Sequence, residues 1–151
     1  MEYRNISRWV KISTPSIYKK VIQLEEKGLI NSVTVKEGKM PEKAVYSLTE
    51  AGERQFEKLM MEIAGKPIHI FLDFNAVIVN LDSLPADKQK SCLANIEENV
   101  ANLKSYLQEN ILAKENVPEI PETGMAVLHQ QLILAEAIET WITSVKARLE
   151  N

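Results

Sequence analysis

Ile17, Val21 and Leu24 recur at helical spacing and give the run from Ser16 to Lys27 one apolar face, leaving Ser16, Tyr18, Lys19 and Lys20 largely off it. Ahead of this run, Ser13 or Thr14 can accept a hydrogen bond from the free backbone donors of the first turn. Pro15 suits the first helical position, where no backbone N–H is needed. Gly28 can take the left-handed conformation that ends a helix. A strand-like Asn31-Ser-Val-Thr-Val follows, then a charged loop with Gly38 at its tip, then a second strand, Lys43-Ala-Val-Tyr-Ser-Leu. Thr49-Glu-Ala-Gly opens another helix, in which Thr49 caps the start, Glu50 and Glu53 suit the positive end, and Phe56, Leu59, Met60 and Ile63 share a face. A helix with one packed and one basic face, followed by a hairpin, predicts a winged helix-turn-helix. Such a helix can pack on one side and enter a DNA major groove with the other.

Beyond residue 64 the pattern changes. Gly65-Lys-Pro67 stops the helix and marks a boundary, so a winged unit over residues 1–65 and a helical unit over 66–151 are expected. Periodicity leaves Ile68 to Leu81 open between a strand and a buried helix; its length and the spacing of Phe71, Phe74/Asn75 and Ile78 favour the helix. From there Leu93, Ile96, Val100, Leu103 and Leu107 step by three and four residues, with Ile111 and Leu112 extending a seam suited to helix–helix packing. Prolines in the Asn116–Gly124 stretch cannot continue a helix. A last helix is expected from about Gly124 to Leu149, with Met125, Leu128, Leu132, Ala135, Ile138/Ile142, Val145 and Leu149 on one side. The fold class is thus mainly α with a small β-wing. Two long amphipathic helices and one buried helix make only a thin layer, and a second copy of the chain would cover it. Leu128, Leu132 and Ile142 are the expected dimerisation residues, and a dimer would set two recognition helices on successive turns of a duplex.

Composition fits this picture without sharpening it. The 151 residues, 45% hydrophobic and 26% charged, suit one modest domain or two small ones. The Ile68–Leu81 run is too short and too polar to span a bilayer, and no basic-then-apolar leader precedes it, so a cytoplasmic protein without a membrane partner is expected. A net charge of −3 argues against nucleic acid, but its distribution argues for it. Residues 1–48 hold nine Lys/Arg against five Asp/Glu, a net of +4, which leaves −7 for the rest. A protein of this kind presents one end to phosphates.

Catalytic chemistry is hard to find. His69 and His129 have no second His or Cys at metal-ligand spacing; His69 reads as a hydrogen-bonded core residue and His129 as a surface one. No glycine-rich phosphate loop is present, Cys92 reads as a small buried thiol within a helical seam, and Ser13, Ser16 and Ser91 have no base in recognisable relation to them. No enzyme activity, cofactor or metal is expected. Among the aromatics, Trp9 reads as core filler. Trp141 fits either core filler or the wall of a dimer-interface pocket for a flat apolar ligand.

The phrases Ile12-Ser-Thr-Pro-Ser-Ile-Tyr-Lys-Lys-Val-Ile-Gln-Leu-Glu-Glu-Lys-Gly-Leu-Ile and Val45-Tyr-Ser-Leu-Thr-Glu-Ala-Gly resemble the recognition helix and the post-wing segment of the PadR family of bacterial transcriptional regulators. The resemblance implies a homodimeric DNA-binding regulator, usually a repressor, whose C-terminal helices dimerise and in some members respond to small aromatic or drug-like molecules. Ser13, Thr14, Ser16, Tyr18, Lys19 and Lys20 would face the groove of double-stranded DNA, and Lys36, Lys39 and Lys43 the flanking backbone. Two departures stand out. The family has a helix ahead of the segment matching Tyr3–Val10, and this chain begins where that helix ends, so it is expected to be missing. The wing, Lys36-Glu-Gly-Lys-Met-Pro-Glu-Lys43, carries lysines where the family more often has arginines, which keeps phosphate contact but weakens bidentate base readout. The rival expectation is a winged-helix protein-interaction module that does not bind DNA.

Overall fold

The computed structural model describes residues 14–36, 38 and 42–149. In chain order they form α1 (Thr14–Glu26), β1 (Ile30–Val35), β2 (Lys43–Leu48), α2 (Glu50–Ala64), a short α3 (Asn75–Val79), a 3₁₀ turn (Leu81–Ser83), α4 (Ala86–Lys114) and α5 (Glu122–Leu149). Two compact units result, Met1–His69 and Ile70–Asn151.

In the first unit, α1 ends as the glycine predicts. Gly28 has φ +65°, its N–H donates to Glu25 O at 2.8 Å, and the Leu29 N–H reaches back to Leu24 O at 2.9 Å. This pair of bonds is a Schellman closure, which satisfies carbonyls that the helix end leaves without partners. The chain reverses straight into β1, which pairs antiparallel with β2 from Ile30↔Leu48 to Val35↔Lys43. Gly38, in the loop between them, has φ +60°. Thr49 caps α2 by accepting the Gly52 N–H at 3.0 Å.

The second unit is built on α4 and α5, which lie antiparallel. Leu81, Leu93, Ile96, Val100 and Ile142 form one buried cluster, flanked by Phe74, Ile78, Cys92 and Ile138 among others. Leu107, Ile111, Leu128 and Ala135 form a second, with Tyr106, Met125 and Leu132 against it. Two ion pairs cross the hairpin, Lys104–Glu139 and Lys146–Glu97, each at 2.5 Å and each partly shielded from solvent.

Three expectations change. The Ile68–Leu81 run is not one buried helix: helical structure is confined to Asn75–Val79, and Ile68, Ile70 and Phe71 are exposed at 91%, 64% and 87%. Pro67 and the Asp73/Asn75 pair break the apolar continuity, so the run supplies only Leu81 and parts of Phe74, Val77 and Ile78 to the core. His69 is exposed rather than buried. The α4 seam keeps Leu93, Ile96, Val100, Leu107 and Ile111, but Leu103 and Leu112 stay exposed. Leu112 follows Ile111 by one residue, roughly 100° further around the helix, and so leaves the packed stripe.

Candidate nucleic-acid interface

Two of the three apolar positions that the spacing assigned to the packed face of α1 are covered, while Leu24 is 38% exposed. Ile17 and Val21 are half-buried, whereas Ser16, Tyr18, Lys19 and Lys20 are exposed, Tyr18 at 69%. The Lys20 ammonium donates to Gln23 Oε1 at 3.2 Å, an i,i+3 contact that draws it along the helix surface. At the other end of α1, Ser32 Oγ donates to Glu25 Oε1, joining the helix to the first residues of the wing. Ser13 and Lys39 lie outside the described residues, as does the side chain of Thr14.

The base of this helix is held by backbone as well as by side chains. Thr49 N–H donates to Leu29 O at 3.1 Å, and Thr49 Oγ1 donates to Gly28 O at 2.7 Å. Gly52 is buried against the same turn, so close that a Cβ there would stand 1.9 Å from Leu29 O. The glycine of the Leu-Thr-Glu-Ala-Gly phrase is therefore a packing requirement: only hydrogen fits between α2 and the end of α1.

On the wing, Lys36 and Lys43 are exposed, and Lys36 lies 3.7 Å from Glu42. The sequence assigned Lys36 to the flanking DNA backbone without showing Glu42 as its partner. The antiparallel register makes them neighbours, since Val35 pairs with Lys43. Such an exposed pair contributes little to stability, but it offsets part of the wing's positive charge.

In the second unit, Trp141 is 37% exposed and stacks on Phe74, with ring centroids 5.8 Å apart and planes at 26°. The two rings line an open cavity of about 330 Å³ with Ile70, Leu72, Leu134 and Ala137. The other sequence-assigned residues have a different place. Leu128 and Ile142 are 3% and 0% exposed within the single chain, and Leu132 is half-buried beside Leu128. Their burial comes from α4 of the same chain, so they already have the cover that a second copy was expected to supply. Exposed apolar groups lie elsewhere on the unit, at Leu112 (71%), Ile133 (64%) and Leu134 (41%). Among the described residues no group of three His, Cys, Asp or Glu could hold a metal, and no helix is long and apolar enough to cross a membrane.

Residues 4–58 match the model of the transcriptional regulator PadR-like family. No curated protein matches the chain. Among solved structures, the chain is similar to Bacillus subtilis PadR in complex with operator DNA, at 19% identity over 91% of this chain and 79% of that one, with a TM-score of 0.77. It is similar to the PadR-like transcriptional regulator BC1756 from Bacillus cereus at 17% identity, covering 98% and 84% of the two chains, with a TM-score of 0.73. The Vibrio cholerae virulence activator AphA is similar at 22% identity, with coverage of 96% and 82% and a TM-score of 0.66. At these identities the structural likeness is one of fold. Residues 4–58 thus match the model of the PadR-like family, and the described residues have the mostly helical fold with a two-stranded wing seen in the solved PadR structures.

Proposed function

We propose that this chain is a sequence-specific regulator of transcription that binds double-stranded DNA as a homodimer, represses, and is released by a small apolar aromatic ligand. The observation that carries the reading is the outward face of α1. Tyr18, Lys19 and Lys20 are exposed on a helix tied at its base to α2, beside a wing that carries Lys36 and Lys43. The Bacillus subtilis relative with the same fold was solved with operator DNA. Ser13, Thr14, Ser16 and Lys39 complete the set of proposed DNA contacts. For dimerisation, the exposed apolar groups Leu112, Ile133 and Leu134 offer the second unit a surface that another copy can cover. For the ligand, the cavity beside Trp141 and Phe74 has the size and apolar lining of small-molecule sites.

The deciding measurement is binding of the full chain to duplexes from its own upstream DNA across a salt series, with sedimentation to read oligomeric state. Preference for one upstream duplex over a scrambled one supports the reading, and a reporter placed downstream gives the sign of regulation. Equal or absent binding to both duplexes at low salt returns the chain to a protein-interaction role.

A further inference from the structure

One large apolar side chain of α1 stands well away from its packed side. Ile17 and Val21 are half-buried and Leu24, at the edge of the same face, is 38% exposed, whereas Ile22 is 57% exposed and off that face. At 100° per residue, Ile22 lies roughly a third of a turn from that inward face and falls between Tyr18 and Lys19 on the outward side. Tyr18 stands one turn before it, at the i,i+4 spacing that makes helix residues surface neighbours. Tyr18 and Ile22 therefore form a short apolar strip with Lys19 on one side; Glu25 and Glu26 follow Ile22 at i+3 and i+4, and Lys20 lies on the far flank of the helix.

On the DNA-binding reading proposed above, this is the face of α1 that enters the major groove, with Lys19 beside the strip. On a DNA duplex the apolar feature displayed in the major groove is the C5-methyl of thymine. Lysines can hold phosphates but carry no base identity when they do so, which leaves the reading of sequence to the other outward groups of the helix. We propose that Ile22, with Tyr18 beside it, is a specificity-determining residue that reads thymine methyl groups in the major groove. The inference rests on the DNA-binding reading above and adds to it which base chemistry this helix selects.

The test uses the full chain and duplexes it selects from a randomised library at low salt. Each thymidine of the best duplex is replaced in turn by deoxyuridine, which removes only the methyl group. Burial of one methyl is worth about a fourfold change in affinity, so one position, or a symmetric pair, should lose about fourfold per methyl. Ile22→Ala should weaken binding of the thymidine duplex by a similar factor and abolish the deoxyuridine penalty at that position. Ile22→Val, which removes one carbon from an exposed site, should retain part of the penalty and guards against misfolding of the alanine variant. A wild type indifferent to every deoxyuridine, or an Ile22→Ala variant that keeps the full penalty, overturns the assignment while leaving DNA binding intact. If no duplex is selected at all, the DNA-binding reading fails first, and this proposal falls with it.

Discussion

The hydroxyl of Thr49 and the carbonyl of Gly28 are separated by 21 residues in sequence and by 2.7 Å in space. The same oxygen accepts the Gly52 N–H at 3.0 Å, so one side chain closes the end of α1 and the start of α2 together. Thr49→Val keeps the shape but removes both bonds. It should cost about 1–2 kcal/mol, the range for a lost helix cap, while Thr49→Ser should recover most of it. Denaturant unfolding of the full chain reads both, and DNA affinity should follow the same order.

Gly52 offers a sharper contrast. A methyl group there would meet Leu29 O, a backbone atom that cannot swing aside, at 1.9 Å. Gly52→Ala should therefore destabilise by about 2–3 kcal/mol through overpacking. Gly65→Ala, whose nearest neighbour would be 3.5 Å away, should change stability by less than about 0.5 kcal/mol. Thermal melts of the two variants side by side separate crowding from a general effect of glycine replacement.

Electrostatic contact with phosphate has a signature in salt dependence. Lys19→Ala and Lys20→Ala should each reduce the slope of log affinity against log salt by about 0.9. Glu42→Gln should act in the opposite direction. It removes the carboxylate 3.7 Å from Lys36, so affinity for all duplexes should rise, without a change in preference among them. Unchanged slopes in both lysine variants would take α1 out of the interface.

Core and surface positions of the hairpin should separate cleanly. Ile142 is fully buried against α4, and Ile142→Ala should destabilise the second unit by about 2–5 kcal/mol. Ile133 is 64% exposed, so Ile133→Glu should leave the melting curve of the monomer nearly unchanged and weaken the proposed dimer. Cutting the chain after Pro121 is less informative than either. It removes Leu128, Ala135 and Ile142 and so strips both buried clusters, whatever holds two copies together.

A flat apolar ligand entering beside Trp141 should quench its fluorescence and change operator affinity. Comparison with Trp141→Phe and Trp9→Phe assigns the signal to one tryptophan. Binding alone shifts no equilibrium; the ligand must favour one dimer geometry over the other. If every ligand that quenches Trp141 leaves operator affinity the same, the stack on Phe74 is structural filling and the cavity is not regulatory.

The elements with strong local punctuation were legible in the sequence. Gly28, Thr49 and the Ile17–Val21–Leu24 spacing act through hydrogen bonds and faces within a few residues, and the winged unit follows them closely. The Ile68–Leu81 run was not: the spacing of Phe71, Phe74 and Ile78 suited a helix, but tertiary packing decides which of them are buried, and Phe71 is 87% exposed. Leu128, Leu132 and Ile142 were recognised as an apolar stripe, but a stripe does not name its partner, and α4 of the same chain takes that place. Ile22 was not singled out in the sequence, and its 57% exposure in the structure is what marks it as outward. Glu42 required the hairpin register before its relation to Lys36 could be seen.

The two ion pairs across α4 and α5 carry a further consequence. Glu97 and Lys104 are seven residues apart on one helix, Glu139 and Lys146 seven apart on the other, and each glutamate faces a lysine. Slide one helix past the other by a heptad and the apolar stripes would still mesh, since their spacing nearly repeats. The charges would not. One direction sets Glu97 against Glu139, and the other sets Lys104 against Lys146. Four side chains thus write a parity check into the hairpin, which rejects the misalignments that hydrophobic contact alone would accept.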